Sequence, residues 1–361
     1  MGGLWHGWSM VDEQYFISRN YRAAVSASSK AKIDCEQALE KLGFKNLGLP
    51  RTNYTSALPN FFATLLGTLI GLIRLPRGSV LCVQYPTKKY YDLIVKVAKL
   101  KRCRVITIIH DLRSHRKQKV AIGREMRSLN RNDLVIAHNA AMSAWLTEHG
   151  LTIGTVNLNI FDYLCDFSAA EPVAPDTGAK FRLVFAGVLE KRKNGFLYQL
   201  DELDTSNFSC NLYGVGFNPS DLPADSIIDY RGVFPADEIV ERIEGEFGIV
   251  WDGTSLEECA GSFGEYLKIN NPHKTSMYLR AGLPVVIWDQ AAMARLVRER
   301  NVGIAVASLA DVDGALANLT AADYLQMRTN AREMSRQLGE GLFLSAAMGE
   351  AMDRLGADGR Q

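Results

Sequence analysis

Residues 247–306 gather side chains suited to holding an anion. They read FGIVWDG, then EYLKINNPHKTSMYLRAGLPVVIWD, then ERNVGIAV. A strand ends at Asp252-Gly253, and a polar loop follows with Asn270, Asn271, Pro272, His273 and Lys274. A helix then opens with Thr275 and Ser276 in its first turn. Free N–H groups and the positive end of the peptide dipoles attract anions to such a helix start. Lys274 adds a full charge at its mouth, so a diphosphate is a natural guest. An ordinary helix with hydroxyl capping and a solvated lysine would use the same residues.

Other groups stand out by type and place. His110 and Asp111 end the strand RVITII. Basic residues cluster after it: Arg113, His115, Arg116, Lys117, Lys119, Arg124, Arg127 and Arg131. No aromatic residues interleave with them as a single-strand nucleic-acid platform needs, so nucleic acid is not an expected partner. A membrane face, a lipid-diphosphate acceptor or a solvated helix remain. The pair Asp311 and Asp313 has the D-x-D spacing of a metal site, but it opens a helix, where capping and dipole pairing explain it. No metal is expected. The cysteines at 35, 82, 103, 165, 210 and 259 form no CxxC and sit mostly among apolar residues. That pattern fits free thiols in a reducing compartment.

Strands alternating with helices position these groups. Gln14–Ser18, Val80–Gln84, Arg104–Ile109 and Asp133–Ala137 read as strands, with helices over Ala31–Leu42, Tyr90–Leu100 and Ala140–His149. Ala24–Ser29 is a small-residue loop. Ser168–Gly178 (SAAEPVAPDTG) breaks the pattern as a linker. A second alternation follows, with strands at Phe181–Ala186, Cys210–Tyr213, Phe247–Trp251, Leu283–Trp288 and Ile304–Ala307. A helix over Lys274–Ala281 precedes Leu283–Trp288, and Ala321–Leu355 reads as mostly helical. The fold class is α/β, two Rossmann-like doubly wound domains facing a cleft. We expect an N-terminal domain over 10–167, a C-terminal domain over 180–335, and a final helical segment, 336–361, crossing back to the first domain.

The chain has 361 residues, 47% hydrophobic and 22% charged, which excludes intrinsic disorder. Its net charge of +1 hides an asymmetry: residues 1–170 carry 23 Lys+Arg against 12 Asp+Glu, a balance of +11, and the rest is acidic. The basic half favours an anionic partner. Met1–Ser9 reads as a leader, and no secretory signal is expected. The densest apolar run, Phe61–Ile73, is 13 residues, short of the ~20 that span a bilayer. At helical spacing Thr64, Gly67, Thr68 and Gly71 form a small-residue stripe, favouring a core or subunit contact over membrane insertion.

The run K-x-S-x-Y-L-x-A-G-x-P-V-V at Lys274–Val286, with FGIVWD before it and NVGIAV after it, resembles the nucleotide-sugar half of GT-B glycosyltransferases. YLKINNPHKTSMYLRAGLPV is similar to bacterial galactofuranosyltransferases of surface polysaccharides and to related glucosyltransferases that extend serine-rich adhesin glycans. The front end, FISRNYRAAVSASSKAKIDCEQALEKLGFKNLGL, agrees. The resemblance implies a UDP-sugar donor on the second domain. Gly187 matches the glycine loop that meets the phosphates, Lys191 a cationic diphosphate contact with Arg192 as its neighbour, and Tyr230 a position near the nucleotide. Lys274 matches the lysine on the leaving diphosphate, flanked by Asn271, His273 and Ser276. The E-x7-E pattern of retaining enzymes is absent, with Asp289 and Arg295 in that region, which favours inversion.

Inversion needs a base from the first domain. Asp111 is the first choice, His110 the second, and Asp34 in the KAKID motif the third. His138 resembles a loop lying between domains, and equally starts a helix. The activity the resemblance implies is transfer of a hexose, galactofuranose from UDP-galactofuranose, to a hydroxyl of a growing cell-surface glycan, with a glycan or lipid-linked glycan as acceptor. The expected place is the cytoplasm, with peripheral membrane contact; homo-oligomers stay open. Rival readings are a UDP-glucose or UDP-galactopyranose transferase, a UDP-sugar epimerase, and a non-catalytic glycan-assembly subunit.

Overall fold

The computed structural model describes residues 13–21, 27–87, 90–116, 120–174, 178–203 and 205–358. The leader Met1–Ser9, residues 24–26 of the small-residue loop, and Lys117 and Lys119 of the basic cluster lie outside the described residues, as does the Arg116 side chain.

The first half runs β1 (Gln14–Phe16), α1 (Ala27–Lys41), β2 (Lys45–Asn46), α2 (Ala57–Arg74), β3 (Val80–Tyr85), α3 (Tyr91–Leu100) and β4 (Arg104–Ile109). It continues with α4 (Arg113–Arg116), α5 (Ile122–Leu129), β5 (Leu134–Ala137), α6 (Ala140–Glu148) and β6 (Gly154–Asn157). The second half runs β7 (Phe181–Val188), α7 (Lys191–Asn194), β8 (Phe208–Val215), β9 (Ile228–Gly232), α8 (Ile239–Arg242), β10 (Phe247–Val250), α9 (Gly261–Leu267) and α10 (His273–Arg280). Then come β11 (Val285–Trp288), α11 (Ala294–Arg300), β12 (Gly303–Val306), α12 (Asp311–Ala317), α13 (Ala321–Glu340) and α14 (Leu342–Asp358).

Each half holds a six-stranded parallel sheet, ordered β2-β1-β3-β4-β5-β6 and β12-β11-β10-β7-β8-β9. Central strands such as VLCVQY and VVIW are buried on both faces, which is why they are almost wholly apolar. The strands the sequence did not reveal are β2, β6 and β9; they are short edge strands with polar letters, KN, GTVN and IDYRG. Strand order reverses at β1/β3 in the first sheet and at β7/β10 in the second. Ligands of such sheets bind at the carboxyl ends beside those reversals.

In the first half, α1 and α14 cover one face of the sheet, and α2, α3, α5 and α6 the other. Tyr266 and Ile269 of the second half join the second of these cores, so the halves are packed together. The C-terminal helical region is broken at Gly341, whose φ of +83° is left-handed. The break sends α14 back onto the first sheet, burying Leu344, Met348 and Leu355.

The apolar run of the sequence lies within an 18-residue helix, α2. Its small-residue stripe is core: a Cβ at Gly71 would lie 2.9 Å from Ile17 Cδ1, and one at Gly67 3.4 Å from Leu49 N. Its other face is bare, with Phe62, Leu66 and Ile73 exposed.

Candidate functional site

The apolar strand β10 delivers Trp251 and Asp252 to the carboxyl edge of the second sheet, at its reversal point. The Trp251 indole donates to Ser255 O at 3.0 Å, fixing the loop beyond. Lys274, in the first turn of α10, donates through Nζ to Trp251 O and to Asp252 Oδ1, both at 3.1 Å. Its ammonium sits 4.3 Å from the centre of the Phe185 ring on β7. Burial pulls the Lys274 pKa down, and the Asp252 charge opposes that shift. Lys193 of α7 reaches the same Asp252 oxygen at 3.7 Å. Its backbone carbonyl accepts from Gly253 N at 3.0 Å, which ties the two loops together.

Beside these cations the Thr275 and Ser276 hydroxyls are buried with no hydrogen-bond partner. Gly187, at φ +150°, leaves open space where a Cβ would stand. It runs against Gly214, where a Cβ would come within 1.8 Å of Gly187 O. Two cations, a helix start and a bare glycine loop thus converge on one edge, an arrangement that binds a polyanion. Tyr230 on β9 reaches that edge too, with its hydroxyl donating to Gly214 O at 3.0 Å.

The other residues expected at the donor have partners of their own or face solvent. Lys191 is exposed and stands over the Tyr198 ring, 4.7 Å from its centre, and Arg192 is exposed. The cation that joins Lys274 is Lys193, the third of the run KRKN, and only the loop geometry singles it out. Asn271 is spent between the halves: its N–H donates to His138 Nδ1 at 2.9 Å, and its Nδ2 to His138 O and Asn159 O at 2.6 and 3.0 Å. Its Oδ1 accepts from Asn139 at 2.7 Å. The His273 ring stacks on Tyr163 of the connecting segment at 5.0 Å, and burial lowers its pKa to about 3.

Across the cleft, His110 and Asp111 follow β4 directly. The His110 ring stacks on Phe161 at 5.3 Å, and both of its ring nitrogens are buried without a partner. Burial holds its pKa well below the ordinary value, so it is neutral. His138 meets the same phenyl ring at 4.9 Å and His273 at 6.2 Å, so three histidines surround Phe161. Asp111 is half-buried, and the next N–H, of Leu112, donates to Tyr266 OH of the other half at 2.9 Å.

Asp34, the third candidate base, lies on α1. It is 1% exposed, bonded to Lys30 Nζ at 2.5 Å and accepting from Leu164 N at 3.1 Å. Burial pushes its pKa up to about 7 against the pull of Lys30. Lys30 also pairs with Asp237 of the second half at 3.0 Å, so this cluster is an interdomain tie. Glu36 of α1, two residues beyond Asp34, is buried beside the chain that follows β1. It accepts from Ser18 Oγ at 2.7 Å and from the Tyr21 hydroxyl.

The D-x-D carboxylates are engaged locally: Asp311 accepts from Ser308 N at 3.0 Å, and Asp313 from Asn207 N and Nδ2 at 2.7 Å each. Among the described residues no three His, Cys, Asp or Glu side chains are grouped to hold a metal ion. In the basic cluster, Arg131 pairs with Asp92 at 3.1 Å, and His115 lies between Trp145 and Tyr266. Arg295 pairs with Glu299 at 2.6 Å on an exposed helix face.

The chain is similar to known proteins. The model for the N-terminal domain of glucosyltransferase 3-like proteins matches residues 14–160, and the model for their C-terminal domain matches 183–351. The chain is 32% identical over 288 residues to the beta-1,6-galactofuranosyltransferase WbbI of Escherichia coli (strain K12), covering 79% of this chain and 82% of that protein. It is 25% identical over 331 residues to glucosyltransferase 3 of Streptococcus gordonii, covering 89% and 93%. Among solved structures, sucrose-phosphate synthase from Thermosynechococcus elongatus superposes with a TM-score of 0.60 at 13% identity, covering 96% of this chain and all of that one (100%). The Anabaena protein HepE, solved in complex with UDP, gives 0.58 at 13% identity, covering 94% and 100%. These likenesses identify the two facing Rossmann-like domains as a GT-B fold.

Proposed function

The chain belongs to the glucosyltransferase 3-like family of glycosyltransferases, and on that footing we propose that it transfers galactofuranose from UDP-galactofuranose to a hydroxyl of a growing cell-surface glycan. The observation that carries the donor site is the convergence of Lys274, Lys193 and the start of α10 at the reversal point of the second sheet. The diphosphate lies there, against the Gly187 backbone, with Tyr230 beside the nucleotide. The 32% identity to a galactofuranosyltransferase favours that sugar over glucose.

The reaction is one displacement with inversion. The acceptor oxygen forms a bond to the anomeric carbon as the bond from that carbon to the β-phosphate oxygen breaks. UDP leaves with the electron pair, and the two lysines and helix N–H groups stabilise the charge that builds on its β-phosphate. Asp111, with His110 behind it, takes the proton of the acceptor hydroxyl. The chain's own cations meet the diphosphate, so the proposal includes no metal. Six free thiols suit the reducing cytoplasm, and the acceptor is a lipid-linked glycan met at the membrane surface.

The test is a panel of UDP-sugars with and without short glycan acceptors, followed by UDP release and product mass. Acceptor-dependent release from UDP-galactofuranose, with an inverted product linkage by NMR, supports the proposal. Release from UDP-glucose instead overturns the donor. Conversion without acceptor moves the protein to epimerisation.

A further inference from the structure

We propose that the outward face of α2 docks the enzyme on an anionic lipid bilayer. This deepens the reading of a lipid-linked acceptor and takes its purpose from it, while the contact itself rests on the helix. Leu58, Phe62, Leu66, Leu69 and Ile73 recur every three or four residues along α2 and are 42–78% exposed. They form one stripe about 22 Å long, with Phe61 at its edge. Elsewhere among the described residues the exposed large apolar side chains include the cross-strand pair Val188 and Val215 and separate positions such as Val173, Val233 and Leu342. A continuous stripe of this size on a soluble surface marks a contact site. Leu93 and Leu100 of the neighbouring α3, on the same side of the sheet, are exposed as well.

The charges around the stripe select the occupant. α2 contains no carboxylate. Arg74 and Arg77 at its C-terminal end and Lys96 on α3 are exposed, and among the described residues they make no ion pair. Apolar side chains rimmed by unpaired cations fit acyl chains beneath anionic headgroups. The helix lies along the membrane rather than across it, because Gly67, Thr68, Gly71 and Leu72 are buried against the body of the domain.

The placement links this face to the reaction. Asn20, just beyond β1, donates to Tyr54 O at 2.9 Å and to Asn60 Oδ1 at 2.8 Å. The start of α2 is thereby held at the carboxyl edge of the first sheet, the rim of the cleft. A bilayer under α2 lies at the mouth through which an acceptor enters.

The experiment is flotation of the full chain with phosphatidylcholine vesicles, with and without about one-third phosphatidylglycerol. Leu66→Asp/Ile73→Asp and Arg74→Glu/Arg77→Glu are compared with wild type, with circular dichroism as the check on folding and light scattering for mass. Wild type is expected to float with the anionic vesicles only, and each double variant to lose roughly tenfold in partitioning while keeping wild-type UDP affinity. Failure of wild type to float, equal flotation with neutral vesicles, or undiminished flotation of the folded variants overturns the proposal. So does a dimer that the Leu66→Asp/Ile73→Asp change splits. UDP binding is measured on the same samples; its absence in wild type defeats the donor reading and leaves the flotation result standing.

Discussion

Lys274 Nζ stands 3.1 Å from Asp252 Oδ1, so the lysine assigned to the leaving diphosphate already faces a carboxylate. Asp252 balances two cations, since Lys193 reaches the same oxygen at 3.7 Å. An arriving diphosphate replaces part of that balance. Asp252→Asn removes the carboxylate and leaves two lysines near each other in a poorly solvated place. We expect a loss of about 2 kcal/mol of stability without ligand, less than for a fully buried pair because both groups keep some water contact. Added UDP supplies the missing anion, so its thermal shift should be larger in Asp252→Asn than in wild type. Equal shifts in differential scanning fluorimetry would contradict this.

Lys193 and Lys191 separate the geometry from the sequence. Lys193→Ala removes a cation from the diphosphate edge and should cut kcat/KM for the donor by about 10- to 100-fold. Lys191→Ala removes an exposed contact with Tyr198 and should change it less than about threefold. Steady-state kinetics with the same UDP-sugar decides. The reverse order would return the role to Lys191.

The candidate bases differ in surroundings and hence in what their loss does. Asp111→Asn should lower kcat by about 10²–10⁴ with an unchanged melting temperature. Asp34→Asn leaves Lys30 buried beside Asp237 and the Leu164 carbonyl, and should cost about 3 kcal/mol of stability with a modest effect on kcat. A large kcat loss in a fully stable Asp34→Asn chain would reassign the base.

His138 accepts the Asn271 N–H through Nδ1, which requires a neutral ring. Burial lowers its pKa from the ordinary 6.5 to about 3. Below pH 6.5 the unfolded chain takes a proton that the folded chain refuses, so this contribution to stability is full above 6.5 and is lost as pH falls toward 3. Between pH 7 and 5 the loss is on the order of 2 kcal/mol. Asp34, Glu36 and Asp162, each raised by burial to about 7, act oppositely: their contribution is lost as pH rises from 4 to 7. The comparison is therefore differential. His138→Asn keeps an acceptor and removes the titration, so the stability of wild type relative to the variant should fall by that amount from pH 7 to 5 in urea titrations. A flat difference would contradict the neutral, interdomain role of this ring.

The grouping of the strand end at Asp252 with Lys274 and the start of α10, where we propose the donor binds, was legible in the sequence because these parts are close together in the chain, within residues 247–276. Alternating apolar runs likewise disclosed both sheets, except for the short polar edge strands. What escaped depends on distant partners. Asn271 meets His138 133 residues away, and Asp34 meets Leu164 130 residues away, so neither role has a local signature. In KRKN three cations share one short turn, and only its docking to Gly253 picks out Lys193. In α2 both faces are apolar, so the small-residue stripe betrayed the packed side while nothing local showed that the other side stays bare.

The most direct measurement is calorimetric titration of UDP into wild type and Lys274→Ala. The account predicts that wild type binds UDP, and that Lys274→Ala, with unchanged circular dichroism, binds it at least about tenfold more weakly. A wild type that does not bind UDP, or a folded Lys274→Ala that binds it equally well, would contradict the placement of the diphosphate at the start of α10.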